Sequence, residues 1–284
     1  MGAPYAEVIG DPVAYSRSPA IHKTWLSALG IQGDYLATPV RASALADHIA
    51  GRRADPDWRG CNVTMPHKQA ILPLLDHVDA AAQRVGAVNC IFRGPEGLHG
   101  CNSDIDGIAA ALDATNLKDA KVTVIGAGGA ARAAIEYLKS RQAALIALLV
   151  RDPLNAADLR SAGPGTRIEL WPLERCGGAL SGARAVINAS PMGMKAAAPM
   201  PAPLLACLAT HARGTVMFDM VYEPLETAFL ATARDNGGVA VDGLKMLVGQ
   251  ARAAFRLFFD QSAPDAADPS WVDTGPQDRF NLRR

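Results

Sequence analysis

Short apolar runs alternate along the chain with longer segments whose apolar residues recur at helical spacing. AEVIG at 6–10 and GDYLATPV at 33–40 read as strands, and SPAIHKTWLSALG at 18–30 and SALADHIAGRR at 43–53 as helices. GCNVTMPHK at 60–68 reads as a strand running into a further helix, with Pro66 at its first position and Lys68 inside its opening turn. This alternation predicts an α/β fold whose parallel or mixed sheet is covered by helices on both faces.

The rhythm breaks in GCNSDIDGIAAALDATNLKDA at 100–120, a helix ending in a polar connector, and a second β-α-β series begins at Lys121. It runs through KVTVIGAGGAARAAIEYLKSR, ALIALLVRD, ARAVINASPMGM and GTVMFDMVYEP. A domain boundary near residue 103 follows. After GGVAVDG, the amphipathic stretch LKMLVGQARAAFRLFFD at 244–260 predicts a long helix able to pack on either half. The tail beyond Asp260, rich in Pro, Asp and Ser, is expected to trail along the surface.

In VTVIGAGGAARAAIEYL, Gly126, Gly128 and Ala131 have the G-x-G-x-x-G/A spacing between a strand and a helix. The first glycine permits a tight turn, the second lets a pyrophosphate approach the backbone, and the small third residue lets helix and strand pack closely. Phosphates would rest on the free N–H groups of the helix start, with Ala127, Gly129 and Ala130 completing the loop. An ordinary glycine-rich strand-helix turn is the plainer alternative. At the end of the next strand, Asp152 stands near the distance at which an acid holds the ribose diol of NAD, while Arg151 beside it suits the 2′-phosphate of NADP. The two argue in opposite directions, and a surface Arg/Asp pair with no ligand is a third reading.

Length and charge narrow the partners. A chain of 284 residues suits two domains, and its 28 basic residues balance 28 acidic ones, so no overall field draws in nucleic acid or an acidic membrane. The partners expected are small molecules. The longest apolar stretch, AALIALLV at 143–150, is far short of the roughly 20 residues of a membrane helix. MGAPYAEVIG lacks the basic and apolar regions of a signal peptide, and Ala6 stands where myristoylation wants Ser or Thr. A soluble cytoplasmic protein is expected. Cys61, Cys90, Cys101, Cys176 and Cys207 form no CxxC pair and read as reduced, mostly buried thiols, and no metal site is expected.

A nicotinamide cofactor needs a substrate hydroxyl or carbonyl beside it and a group to move the proton. The first hundred residues offer such groups at predicted strand ends: Ser16 and Ser18 in AYSRSPAIH, Asn62, Thr64 and Lys68 in NVTMPHK, and Asn89 in GAVNC. Asp104 and Asp106 follow in NSDIDG. Taken singly, each has a structural reading; Ser18 before Pro19 is an ordinary helix cap.

Together, GDPVAYSRSPAIH, GCNVTMPHK, GAVN, NSD, VIGAGGAARA, INASPMGM, FDMVYEPLET and DGLKMLVGQA resemble the shikimate dehydrogenase family in order and spacing. The resemblance implies a substrate domain of α/β/α type, 1–103 plus 240–284, and a Rossmann-type doubly wound dinucleotide domain, 104–239, with a cleft between them. It implies that Ser16 and Ser18 bind the substrate carboxylate, that Asn62, Thr64, Asn89 and Gln250 hold hydroxyls and carboxylate, and that Tyr222 approaches the carboxylate. Lys68 and Asp104 match the catalytic pair, and Asp106 reads as a helix-start acid. Ala189, Met192, Val221 and Gly243 join the glycine loop, Arg151 and Asp152 as cofactor-binding candidates. A positive helix start and partial burial would disfavour the Lys68 ammonium, and Asp104 would favour it.

The implied activity is reversible reduction of 3-dehydroshikimate to shikimate in aromatic amino acid biosynthesis, by a monomer or homodimer. Ser18, where quinate-using members often carry Thr, favours shikimate over quinate; an aminoshikimate substrate stays open. NADP-using members typically show Asn-Arg-Thr at the strand end, and here only Arg151 of that triplet remains, so relaxed NADP preference or use of NAD is expected. A non-catalytic shikimate- or nicotinamide-binding regulator is the rival from another class; it should have lost the Lys/Asp pair.

Overall fold

A computed structural model describes residues 2–161, 166–195 and 197–264. The chain divides into two units, Met1–Ser103 with the segment from Ala251 onward, and Asp104–Gln250.

The first unit is built on β1 (Tyr5–Gly10), β2 (Asp34–Pro39), β3 (Trp58–Val63), β4 (His77–Val78), β5 (Cys90–Gly94) and β6 (Gly97–Cys101) in the order β2-β1-β3-β5-β6-β4. β1 runs parallel to β2 and β3, whereas β5 is antiparallel to β3 and β6, so the sheet is mixed. α1 (Ser18–Ala28), α2 (Leu45–Ala54) and α3 (Ala80–Val85) connect these strands. β1 buries both of its faces, as an inner parallel strand does. Ile9 joins Trp58, Ile49 and Ile91 on one side, and Ala6 and Val8 join Tyr35 and Phe258 on the other.

Glu7 is the exception in that strand. Its fully buried carboxylate accepts from Arg52 Nε at 2.7 Å, Trp58 Nε1 at 3.0 Å and Thr38 Oγ1 at 2.5 Å, with His48 Nε2 at 3.1 Å. Burial pushes this carboxyl up, but the hydrogen bonds from His48, Arg52 and Thr38 outweigh it and bring it down to about 2.

The second unit holds β7 (Lys121–Ile125), β8 (Leu145–Val150), β9 (Arg167–Pro172), β10 (Ala185–Asn188), β11 (Val216–Asp219) and β12 (Val239–Val241), all parallel, in the order β12-β11-β10-β7-β8-β9. The order reverses at β7, the doubly wound arrangement that leaves a crevice at the carboxyl ends of the strands. α4 (Asp104–Leu112), α5 (Gly129–Ser140), α6 (Cys176–Leu180), α7 (Ala202–His211) and α8 (Ala228–Asp235) complete it with the first half of α9 (Gly243–Phe259). β9 is an edge strand with little fully buried surface, and its sequence carries no clean alternation.

Three expectations change. The return to the first unit lies at 251 rather than 240, because β12 pairs with β11 and so draws residues 240–250 into the second unit. α9 belongs to both units rather than packing on one: Ala254 and Phe258 join the first unit's core. No α-helix begins at Pro66. The Lys68 carbonyl, which would accept from Leu72 in a helix, accepts from Val88 at 2.8 Å, and Leu72 N–H turns to Gln69 at 3.2 Å. Residues 65–71 therefore form successive turns, and Lys68 does not stand in the opening turn of an α-helix.

Cys61 and Cys90 are buried, Cys101, Cys176 and Cys207 half-buried, and all five are free thiols. Among the described residues no helix is long and apolar enough to cross a membrane. The start of the tail runs back beside α9, where Arg252 donates to the carbonyls of Ala263 and Pro264 at 3.2 Å. Residues 265–284, where most of the predicted surface tail falls, lie outside the described residues.

Candidate active site

In the first unit the polar candidates gather at one end of the sheet. The carboxyl ends of β1 and β3 meet there: Asp11 N–H donates to Met65 O at 3.0 Å and Thr64 N–H to Ile9 O at 2.9 Å. Gly10 has no room for a side chain, since a Cβ would collide with the Thr64 methyl and lie 2.9 Å from Met65 O. The loop leaving β1 carries Ser16, Ser18 opens α1, and Ser16 Oγ accepts from Ser18 N–H at 3.3 Å. The cap position of α1 is Arg17, so Ser18 stands inside the first turn and is not the cap its sequence context suggested.

Because β5 is antiparallel to β3, its amino end arrives at the same edge and brings Asn89. Asn62 Nδ2 donates to Asn89 O at 3.3 Å, and the Asn89 side chain accepts from Ser103 N–H at 2.7 Å. Tyr35 O–H donates to Asn62 Oδ1 at 2.6 Å. Asn62 and Asn89 are thus buried and held in fixed orientations. Lys68 is half-buried, and its backbone carbonyl accepts from Val88 N–H at the approach to β5.

In the second unit Asp104 is the first residue of α4, buried, with Asp106 in the same turn, where negative charge is stabilised by the helix start. α4 crosses α9 closely at two glycines. A Cβ on Gly107 would lie 2.5 Å from Met246 O and 3.2 Å from Gln250 Cβ, and one on Gly249 would lie 3.0 Å from Gly107 Cα. Gln250 therefore packs one turn along α4 from Asp104.

The cofactor candidates lie at the carboxyl ends of the parallel strands. Gly126 has φ +115°, and a Cβ there would come 3.0 Å from Ala189 O, so the turn after β7 fits only glycine. Gly128 is the N-cap of α5, and nothing lies within 4 Å of where its Cβ would stand. That open approach to the free first-turn N–H groups, from Gly129 and Ala130 onward, fits a dinucleotide pyrophosphate. Ala127 lies between the two glycines, and Ala131, fully buried, packs the helix against the sheet.

Arg151 and Asp152 follow β8. Asp152 is turned to its own loop: Oδ1 accepts from Leu154 N–H at 2.9 Å and Oδ2 from Asn155 Nδ2 at 2.7 Å. Arg151 is exposed. The structure thus separates two residues that oppose each other in sequence, leaving the guanidinium available to an anion while the acid organises the turn.

Of Ala189, Met192, Val221 and Gly243, Met192 and Val221 are linked through residues that the sequence motifs contain but do not single out. Asn188 Nδ2 donates to Met192 O at 3.1 Å and to Asp219 Oδ1 at 2.9 Å, and Val221 N–H donates to Asp219 Oδ1 at 3.0 Å. Thr227 donates to Asp219 Oδ2 at 2.6 Å. A Cβ on Gly243 would lie 2.7 Å from Val221 O, so the start of α9 presses against the same backbone. Burial pushes the Asp219 carboxyl above the usual range, against the hydrogen bonds from Thr227, Val221 and Asn188. Tyr222, half-buried, follows directly on this segment.

Three family models match the chain: the shikimate dehydrogenase substrate binding domain over residues 8–91, shikimate / quinate 5-dehydrogenase over 109–198, and the shikimate 5′-dehydrogenase C-terminal domain over 243–267. A shikimate dehydrogenase (NADP(+)) of Sphingopyxis alaskensis is 44% identical over 267 residues, 94% of each chain. Among solved structures, shikimate 5-dehydrogenase of Thermus thermophilus in complex with NADP(H) and shikimate is 36% identical, with a TM-score of 0.78 over 95% of this chain and 97% of that one. The Listeria monocytogenes shikimate 5-dehydrogenase in complex with shikimate and NAD is 29% identical, with a TM-score of 0.84 over 92% and 93%.

Proposed function

The chain belongs to the shikimate dehydrogenase family, and on that premise we propose that it catalyses the reversible, NADP-dependent reduction of 3-dehydroshikimate to shikimate. The likeness to NADP-dependent relatives across nearly the whole chain carries this reading, and the retention of both Lys68 and Asp104 supports catalysis over a binding-only role.

The dinucleotide, when bound, supplies the hydride from nicotinamide C4. The chain's own residues do the rest. As negative charge develops on the oxygen at C3, the Lys68 ammonium hydrogen-bonds to it and gives it a proton, closing the ketone to an alcohol. Asp104 accepts from the neighbouring hydroxyl and orients the reacting carbon. Ser16 and Ser18, with Tyr222 and Gln250, hold the substrate carboxylate, and Asn62, Thr64 and Asn89 hold the ring hydroxyls. The tight internal bonding of Asn62 and Asn89 supports this, because a preorganised pair binds without ordering cost.

For the cofactor, the loop-bound Asp152 and the exposed Arg151 favour the 2′-phosphate of NADP. The acid's charge stays close by, so use of NAD as a second cofactor is part of the reading. Ser18 favours shikimate over quinate.

The purified protein should be assayed with shikimate and with quinate, each against NADP⁺ and NAD⁺, following the absorbance of the reduced nicotinamide. Turnover with shikimate and NADP⁺ is the expected result. Turnover with quinate alone would move the substrate assignment, and ligand binding without turnover in any arm would favour the regulator.

A further inference from the structure

We propose that Asp219 is a positioning residue for the nicotinamide half of the bound dinucleotide, acting through the 189–192 turn and the backbone of Val221. The inference rests on the dinucleotide reading above.

The order of the second sheet divides the crevice. β7 carries the glycine loop, β8 with Arg151 lies on one side of it, and β10 and β11 lie on the other. A dinucleotide with its pyrophosphate on the loop and its adenosine phosphate toward Arg151 must lay its nicotinamide over the ends of β10 and β11. There the chain presents Ala189, Met192 and Val221.

These three positions are irregular backbone, and one buried acid joins two of them, Met192 through Asn188 and Val221 directly. Asp219, the last residue of β11, is fully buried. Its Oδ1 takes Asn188 Nδ2 and Val221 N–H, and its Oδ2 takes the Thr227 hydroxyl. Asn188, the last residue of β10, spends its second amide hydrogen on Met192 O, while its oxygen accepts from Ser190 N–H at 3.2 Å and Ser190 Oγ at 2.6 Å.

An asparagine amide has nearly the same shape with its oxygen and nitrogen exchanged, so shape alone does not orient it. An ionised carboxylate is acceptor-only. Asp219 therefore agrees with Met192 O and Ser190 N–H in the orientation of the Asn188 amide, and by sharing one oxygen between Asn188 Nδ2 and Val221 N–H it ties the two strand-end turns in one register. Without it, Asn188 keeps only its own local partners, Met192 O and Ser190, so the 189–192 turn loses its tie to β11, and Val221 N–H loses its acceptor. Thr227 secures the other oxygen and also caps α8, accepting from Leu230 N–H at 3.2 Å.

The test compares binding of NADPH with binding of 2′,5′-ADP, the adenosine end alone, by fluorescence titration or calorimetry. Asp219→Ala should weaken NADPH binding about tenfold or more and leave 2′,5′-ADP within about twofold of wild type. Asp219→Asn should recover NADPH binding: its oxygen can serve Asn188 and Val221 while the Thr227 hydroxyl turns to accept from its NH₂. If Asp219→Ala does not fold, Asn188→Ala, which frees Met192 and Ser190 but leaves Asp219 bonded to Val221 and Thr227, decides with the same expected split. Equal weakening of both ligands, or unchanged NADPH binding in a folded variant, overturns the positioning role. Wild-type protein that binds no NADPH overturns the dinucleotide reading itself, and this inference with it.

Discussion

Tyr35 donates its hydroxyl to Asn62 Oδ1 at 2.6 Å, and both side chains are buried. The bond leaves the Asn62 nitrogen facing the backbone carbonyl of Asn89, so one phenol sets the orientation of a candidate substrate-binding amide. Tyr35→Phe removes the donor and leaves Asn62 Oδ1 buried without it, at a cost of about 1–3 kcal/mol. Denaturant unfolding should show that loss, and the KM for shikimate should rise while the KM for NADPH stays put. An unchanged KM for shikimate would mean that Asn62 plays no part in binding it.

Acid should destabilise the first unit through His22. The ring is fully buried, stacks on Tyr35 at 4.0 Å, and neither nitrogen finds a hydrogen-bond partner among the described residues. Burial lowers its pKa from 6.5 to about 3. The unfolded chain therefore takes up a proton that the folded chain refuses, and stability complete above pH 6.5 falls as the pH drops toward 3. At about pH 5 the loss is roughly 2 kcal/mol. Glu7 acts in the same direction lower down, between 4.5 and about 2, where its hydrogen-bonded carboxylate must be protonated. Denaturation midpoints measured from about pH 7.5 to 5 should fall in the wild type and fall less in His22→Phe. Equal slopes would place the acid sensitivity elsewhere.

Removing Arg151 should be felt through the 2′-phosphate. A charge-assisted hydrogen bond contributes about 1.5–3 kcal/mol, so Arg151→Ala should raise the KM for NADPH roughly 10- to 150-fold with little change for NADH. Parallel losses with both cofactors would mean that Arg151 supports the fold of its loop and does not read the phosphate.

Gly107 has no space for a methyl group beside Met246 O. Gly107→Ala should cost about 1–3 kcal/mol by overpacking the crossing of α4 and α9. Because Asp104 starts α4, kcat should fall with it. A melting temperature unaltered by this substitution would show that the crossing relaxes without penalty.

Much of the architecture is legible in the sequence because it rests on local pattern. The runs AEVIG, KVTVI and ALIALLV are strands because inner parallel strands bury both faces, and Gly126 announces its turn because only glycine takes φ +115° beside Ala189. What failed depended on pairing across distance. Pro66 looks like a helix opener, yet Val88 claims the Lys68 carbonyl, and no local signal reports that bond. Residues 240–250 look continuous with the returning helix until β12 pairs with β11. Likewise Asn188, Asp219 and Thr227 sit inside quoted motifs, but their convergence is set by the sheet register of β10 and β11. Asp152 satisfies the spacing of a ribose-binding acid, and only the loop geometry shows that its oxygens serve Leu154 and Asn155.

The most direct measurement is steady-state kinetics of Lys68→Ala with shikimate and NADP⁺, on protein whose melting curve matches the wild type. Loss of a general acid-base group predicts turnover reduced by about 10²- to 10⁴-fold, with the KM for shikimate changed far less. Turnover within a few-fold of wild type would contradict the assignment of proton transfer to this amine.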